Sequence, residues 1–104
     1  MAYPSKYKDA QVEILGEPAT ARQLTAGSAS SNTALTSTVR RISIRASGAD
    51  IRFSIGTGTQ TANGNTSNFI ANGERLDFAV PVGANIAVIR DGTVNGTLEL
   101  TELI

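Results

Sequence analysis

The chain has 104 residues, nine of them basic and nine acidic, and it contains neither cysteine nor histidine. Its length suits one domain, and its composition excludes disulfides, thiolate metal sites and the commonest general base. Because direct binding of nucleic acid normally needs a basic excess, the balanced charge argues against it. We expect no catalytic residue, no cofactor and no metal site.

The amino-terminal residues 1–10 are predicted to form an extended arm. The dipeptide Tyr3-Pro4 is biased away from helix, and polar side chains follow it. Two of the five aromatic residues of the chain, Tyr3 and Tyr7, lie in this arm. Two interpretations stay open: a disordered terminus, or an arm that orders against a neighbouring subunit with both tyrosines as anchors. The arm has no apolar core of a secretory signal.

Residues 11–104 are predicted to form the domain. Apolar and polar residues alternate over Gln11–Leu15 and more weakly over Ala21–Thr25, which predicts two short strands. A Gly/Ser-rich loop follows. The threonine-rich stretch Thr33–Val39 is either the edge of a strand or a connection.

The strongest pattern in the chain runs from Val39 to Gly56. Apolar residues alternate with polar ones on both sides of a Ser47-Gly48 break, as half-buried strands require. The run therefore predicts a β-hairpin with one apolar and one charged face. The inward residues are Ile42, Ile44 and Ala46, then Ala49, Ile51, Phe53 and Ile55.

The remaining elements are also short strands separated by turns. A long polar loop, residues 56–68, precedes Phe69-Ile70, and an Asn72-Gly73 turn precedes a strand over 75–80. The strand over 85–90 is apolar on both faces, which indicates a central strand or one covered by a partner. A hairpin loop over 91–96 then leads to a last strand over 97–103.

The strand spacing predicts an all-β fold with a single domain. We expect an antiparallel β-sandwich or jelly-roll-like barrel of about seven or eight short strands, preceded by the extended arm. No segment approaches the roughly 20 apolar residues of a membrane-spanning helix, so we expect no membrane contact.

Arginine side chains form the only local positive cluster, with Arg41, Arg45 and Arg52 as candidate partner-binding residues. The planar guanidinium group suits docking to an acidic partner surface. The alternative is a solvated sheet face that resists edge-to-edge aggregation. The glycine-rich loop lacks the glycine spacing and the lysine of a phosphate-binding loop. Cross-strand ion pairing explains Asp50 and Asp77 more simply than acid–base catalysis on a glycan does.

The segment from Arg40 to Leu103 resembles small all-β structural proteins of tailed bacteriophage virions. The resemblance lies in the stretches RRISIRA, ADIRFSIGTGTQTA, FIANGERLDFAVPVG and NIAVIRDGTVNGTLELTEL. It implies a non-enzymatic capsid decoration (cement) protein. Such a protein is made in the host cytoplasm, and on the outside of the phage head it binds the major capsid protein lattice and stabilises the head. It implies a homo-oligomer or many symmetric copies.

Other functions remain open at this point. A neck, tail or fibre component of the virion would share every one of these sequence features. A carbohydrate-binding module, from a different functional class, would need an exposed aromatic platform, and the chain has no tryptophan and only five aromatic residues. An enzyme is the least favoured function.

Overall fold

The computed structural model describes residues 17–104, which form eight β-strands and no helix. The predicted strand Gln11–Leu15, the arm with Tyr3 and Tyr7, and the boundary between arm and domain lie outside the described residues. In chain order the strands are β1 (Pro18–Ala26), β2 (Ser31–Ala34), β3 (Arg41–Ser47), β4 (Ile51–Thr57), β5 (Asn68–Ile70), β6 (Arg75–Ala79), β7 (Ala84–Arg90) and β8 (Gly96–Leu103). The all-β class and the predicted strand number are confirmed.

The strands form two antiparallel sheets of four strands each. Sheet A has the order β1-β8-β3-β6, and sheet B has the order β2-β7-β4-β5. The first strand pairs with the last, the second with the seventh, the third with the sixth and the fourth with the fifth. This nested pairing arises when one long antiparallel ribbon is folded at its middle and rolled up. It is the jelly-roll form of a β-sandwich.

The hydrophobic core lies between the two sheets. Sheet A contributes Ile42 and Ile44 to it, and sheet B contributes Ile86 and Val88, all of them fully buried. Burial of such a side chain stabilises the fold by about 1.5–3 kcal/mol. The inward faces predicted from the period of two are therefore confirmed as core, except for Ala49, which is half-buried in the link between β3 and β4.

The predicted hairpin of residues 39–56 is wrong, because its two strands belong to different sheets. β3 pairs with β6 and β8, whereas β4 pairs with β5 and β7. The link between β3 and β4 is hydrogen-bonded to two other loops. The Gly48 backbone N–H donates to Asn72 Oδ1 at 3.0 Å, and the Asp91 N–H donates to the Asp50 carbonyl at 3.2 Å. The sequence pattern did not distinguish the two arrangements, because two strands that face each other across a core bury the same alternate residues as two strands that are paired in one sheet.

The connection over residues 91–96 is not a hairpin loop either, because it also crosses between the sheets, from β7 to β8. The two crossings pass close together: a Cβ on Gly96 would lie 3.2 Å from Ala49 Cβ and 3.3 Å from the Ser47 carbonyl. Only glycine leaves this approach unstrained. The prediction of a central strand near the carboxyl end is confirmed, since β7 lies between β2 and β4.

The long polar loop of residues 58–67 folds back over the outer face of sheet B. Ala87 is fully buried although it lies outside the core, and Ala62 of the loop is also buried. The Gln60 backbone N–H donates to Asn32 Oδ1 at 2.8 Å, and the Ala62 N–H donates to Ser30 Oγ at 2.8 Å. The apolar outer positions of β7 are thus covered by the chain itself.

Candidate interaction surfaces

The structure separates the three arginines that the sequence grouped as candidate binding residues. Arg41 and Arg45 lie on the outer face of sheet A, whereas Arg52 lies on the outer side of sheet B. The grouping failed because it assumed that β3 and β4 form one hairpin. Tyr3 and Tyr7, the other two candidates, lie outside the described residues.

The outer face of sheet A, called here the sheet A face, carries charged side chains on three neighbouring strands. Arg45 stands between Glu99 of β8 and Arg75 of β6 in the ladder. Like charges directly opposite each other destabilise a sheet. The Arg75 Nη1 atom donates to Ser43 Oγ at 2.9 Å, and Glu99 Oε1 accepts a bond from Gln23 at 3.0 Å. Within the described part of the chain, Arg45 is exposed and no hydrogen bond or ion pair holds its guanidinium group.

The Arg52 side chain is held within a local cluster at the side of sheet B. Its Nε atom donates to Asp91 Oδ1 at 2.8 Å, and its Nη1 atom donates to the Ser67 carbonyl at 3.0 Å. The guanidinium carbon also lies 4.9 Å from the centre of the Phe69 ring, a cation–π arrangement. These contacts attach the end of the long loop and β5 to β4, so Arg52 has a structural role here.

An apolar cleft opens between the sheets where the edge strands β5 and β6 face each other. It has a volume of about 500 Å³. Phe53 of sheet B and Phe78 of sheet A stack in it with their ring centres 5.9 Å apart. The other lining residues are Ile55, Asn68, Phe69, Leu76, Ala79 and Pro81. Phe69 lies at the lip of the cleft and is 44% exposed.

Unpaired strand edges border this cleft. β5 pairs only with Ile51–Phe53 of β4, so the rest of β4 has no described strand beside it on this side. β6 pairs with β3 and with no other described strand. A second depression, of about 510 Å³, adjoins the cleft at Ala79 and Pro81 and includes Val82, which is 51% exposed. Apolar surface next to free backbone groups is the kind of site that receives an extended peptide.

A third depression, of about 320 Å³, lies among the loops at one end of the sandwich. Its carboxylates already have partners: Asp50 Oδ1 accepts the Asn72 N–H at 2.8 Å, and Asp91 is bonded to Arg52. Its lining residues include no aromatic side chain, so it lacks the stacking platform expected of a carbohydrate site. No group of three or more acidic residues among residues 17–104 is placed to hold a metal ion.

Glu102 is the one carboxylate that the structure places at a core-facing position of a described strand. It is 1% exposed and accepts bonds from the Thr36 N–H at 2.8 Å, the Thr36 hydroxyl at 2.6 Å and Arg22 Nη2 at 3.2 Å. Burial raises the pKa of Glu102, but these donors outweigh burial and leave the pKa below its ordinary value. Sequence reasoning missed this position, although Leu98-x-Leu100-x-Glu102 places the carboxylate in register with two core leucines.

The comparisons with known proteins concern the fold. No protein-family model and no curated protein matches the chain. A solution NMR structure of a de novo designed double-stranded β-helix is similar with a TM-score of 0.55 and 14% identity, covering 81% of this chain and 99% of the other. The crystal structure of PirA is similar with a TM-score of 0.53 and 16% identity, covering 86% and 98%. At such identities the likeness shows a shared fold alone.

The described residues contain no helix that is both long enough and apolar enough to span a membrane.

Proposed function

We propose that this chain is a non-enzymatic structural protein of a bacteriophage virion: a capsid decoration protein that binds the outer surface of the major capsid protein lattice and stabilises the head. The resemblance of residues 40–103 to small virion proteins motivates the assignment. Jelly rolls occur in viral capsid domains and also in lectins and cupins, so the fold is compatible with the role and does not select it.

The observation that carries the proposal is the difference between the two sheet faces. The chain covers the outer face of sheet B with its own loop, held through Gln60 and Ala62. The sheet A face has exposed Arg45 and Arg75 opposite each other. Carboxylates of a partner placed over this pair would offset the like-charge repulsion and accept the planar guanidinium donors.

On a lattice of identical binding sites, a modest affinity at each contact is sufficient for stable binding. Surface ion pairs contribute only about 0–1 kcal/mol each, so one copy on an isolated capsid subunit would bind weakly. Copies that also associate with each other bind a symmetric lattice through several contacts at once, and their combined affinity exceeds that of each contact. The proposed stabilisation of the head follows from such bridging between capsid subunits.

Charge reversal on the sheet A face tests the proposal. The variant Arg45→Glu/Arg75→Glu should be incorporated into virions at least tenfold less than the unaltered protein, measured by quantitative mass spectrometry of purified particles. The variant Arg90→Glu is the control on sheet B, because it disturbs only an exposed bond to Asn95. Urea unfolding of each purified variant shows whether it still folds.

Three outcomes would contradict parts of the proposal. Undiminished incorporation of the folded sheet A variant would exclude the sheet A face as the docking surface. A small fixed copy number per virion, in place of one that matches the capsid lattice, would favour a neck, tail or fibre component. Equal DNA retention on heating by virions with and without the protein would exclude stabilisation of the head.

A further inference from the structure

The apolar cleft between β5 and β6 has features of a binding site for an extended peptide. Two strand edges flank it, and side chains that would otherwise complete the core, among them Leu76 and Phe78, are only partly buried there. A strand added beside β6 would cover these side chains and satisfy the backbone groups of the free edge. We propose that the amino-terminal arm of a second copy of this chain, residues 1–10, occupies the cleft.

The chemistry of the arm matches the cleft and the depression beside it. In an extended segment Tyr3 and Tyr7 point to the same side, about 13 Å apart. Two depressions likewise lie along β6: the cleft at Leu76 and Phe78, and beyond it the depression at Val82, which Arg40 and Arg41 also line. Each tyrosine ring would bury apolar surface while its hydroxyl group stays at the solvent edge.

Charge agrees with the same placement. When both tyrosines point into the cleft, Lys6 and Lys8 point to the opposite side, because successive residues of a strand alternate. The exposed outward positions of β6 are Arg75, Asp77 and Ala79, and exposed Glu74 precedes the strand, so the charges agree in a register that places a lysine opposite Asp77 and none opposite Arg75. Lysine opposite a carboxylate is a favourable cross-strand pair.

The position of Glu17 favours exchange between copies over docking within one copy. Glu17 and Ile104 are bonded to each other through both backbone groups at 2.9 Å. Glu17 directly precedes β1, which is the strand of sheet A farthest from β6. To reach its own cleft, the arm would have to cross the ends of β8 and β3, a width of about 14 Å that the arm of a second copy does not have to cross. The proposed contact concerns self-association and does not depend on the virion role.

Cysteine cross-linking tests the contact, because the chain has no cysteine of its own. A chain with Ser5→Cys is mixed with an isotopically labelled chain with Asn68→Cys at the cleft and oxidised gently. We expect a mixed disulfide dimer at least tenfold in excess of the product formed with Thr93→Cys, an exposed control position at the loop end of the sandwich. Equal yields at the two positions would overturn the proposal.

Two further measurements separate exchange between copies from docking within one copy and test the cleft itself. A chain carrying both Ser5→Cys and Asn68→Cys should still link between molecules in dilute solution, and a link formed only within one molecule would overturn the exchange. The variant Tyr3→Ser/Tyr7→Ser, and the variant Val82→Asp at an exposed position of the depression beside the cleft, should each raise the dissociation constant for self-association at least tenfold in sedimentation experiments. Unchanged association of both folded variants would exclude the cleft.

Discussion

Replacement of Glu102 offers the sharpest test of how the described part of the fold is held together. The carboxylate is buried, and three of its four described hydrogen bonds converge on Oε2: one from the Thr36 N–H and two from Arg22. The fourth bond, from the Thr36 hydroxyl at 2.6 Å, reaches Oε1. Glu102 therefore ties the connection after β2 to β1 and β8.

Two substitutions at this position separate charge from hydrogen bonding. Glu102→Gln keeps an oxygen in the place of Oε2, and its amide can donate to the Thr36 hydroxyl, so only the charge is lost. We expect a loss of about 1–2 kcal/mol in the free energy of unfolding, because a bond to a charged group is stronger than one to a neutral group. Glu102→Ala leaves Thr36 and Arg22 without their acceptor and should cost about 3 kcal/mol. That value lies at the low end for a buried pair, since Arg22 is partly solvated.

The pH dependence gives a second and independent signature. Because the folded pKa of Glu102 lies below its ordinary value of 4.5, the ionised carboxylate contributes stability above that pH. The contribution is lost as pH falls through the folded pKa. The difference between the unaltered protein and Glu102→Gln should therefore be full near pH 7 and shrink at pH values below 4.5.

Urea unfolding at about pH 7, 5 and 3 measures this difference, with other titrating groups common to both proteins. Glu99→Gln, on the outer face of the same strand, is the matched control and should change stability by no more than about 0.5 kcal/mol. A difference between the unaltered protein and Glu102→Gln that stays constant from pH 7 to 3 would refute the assigned role of the charge. So would equal stability of Glu102→Gln and Glu99→Gln.

Other parts of the fold give predictions that stability and exchange measurements can check. Arg52→Ala should lower the free energy of unfolding by about 1–2 kcal/mol, because it removes an ion pair and a cation–π contact. The free energy of unfolding of Arg45→Ala should lie within about 0.5 kcal/mol of that of the unaltered protein. Equal losses would contradict the separate roles of these arginines. Ile86→Val should cost about 0.5–1.5 kcal/mol in urea unfolding, as expected for a filled core, and no loss would indicate a poorly packed site. Gln60→Ala removes the bond that Ser54 Oγ donates to Gln60 Oε1 at 2.9 Å, so it should speed amide hydrogen exchange at Ala62 by loosening the loop over sheet B, with no change in the core strands. Unaltered exchange at Ala62 would show that the loop is held elsewhere.

Alternation in the sequence was sufficient to assign most of the described strands and their inward faces, but not β2, which spans the end of the predicted Gly/Ser-rich loop and the start of the threonine-rich stretch. Ile42, Ile44 and Phe53 are buried as the period of two predicts, because the pleat of a strand sends alternate side chains to opposite faces whatever its neighbours are. The number of strands and the sandwich class followed from the same pattern. The two apolar faces of β7 correctly predicted a central strand.

Tertiary structure alone decided which strands pair and which residues share a surface. A Ser47-Gly48 link can close a hairpin or carry the chain across a core, and the burial pattern is the same in both cases. The sequence therefore grouped Arg52 with Arg41 and Arg45, although the structure places it on the other sheet. The cleft at β5 and β6 likewise depends on tertiary structure, because these strands are neighbours in sequence but edges of different sheets. The sequence by itself determined the faces of the strands, because pleating is local, whereas strand partners, the cover of sheet B and the surroundings of Glu102 depend on contacts between distant segments.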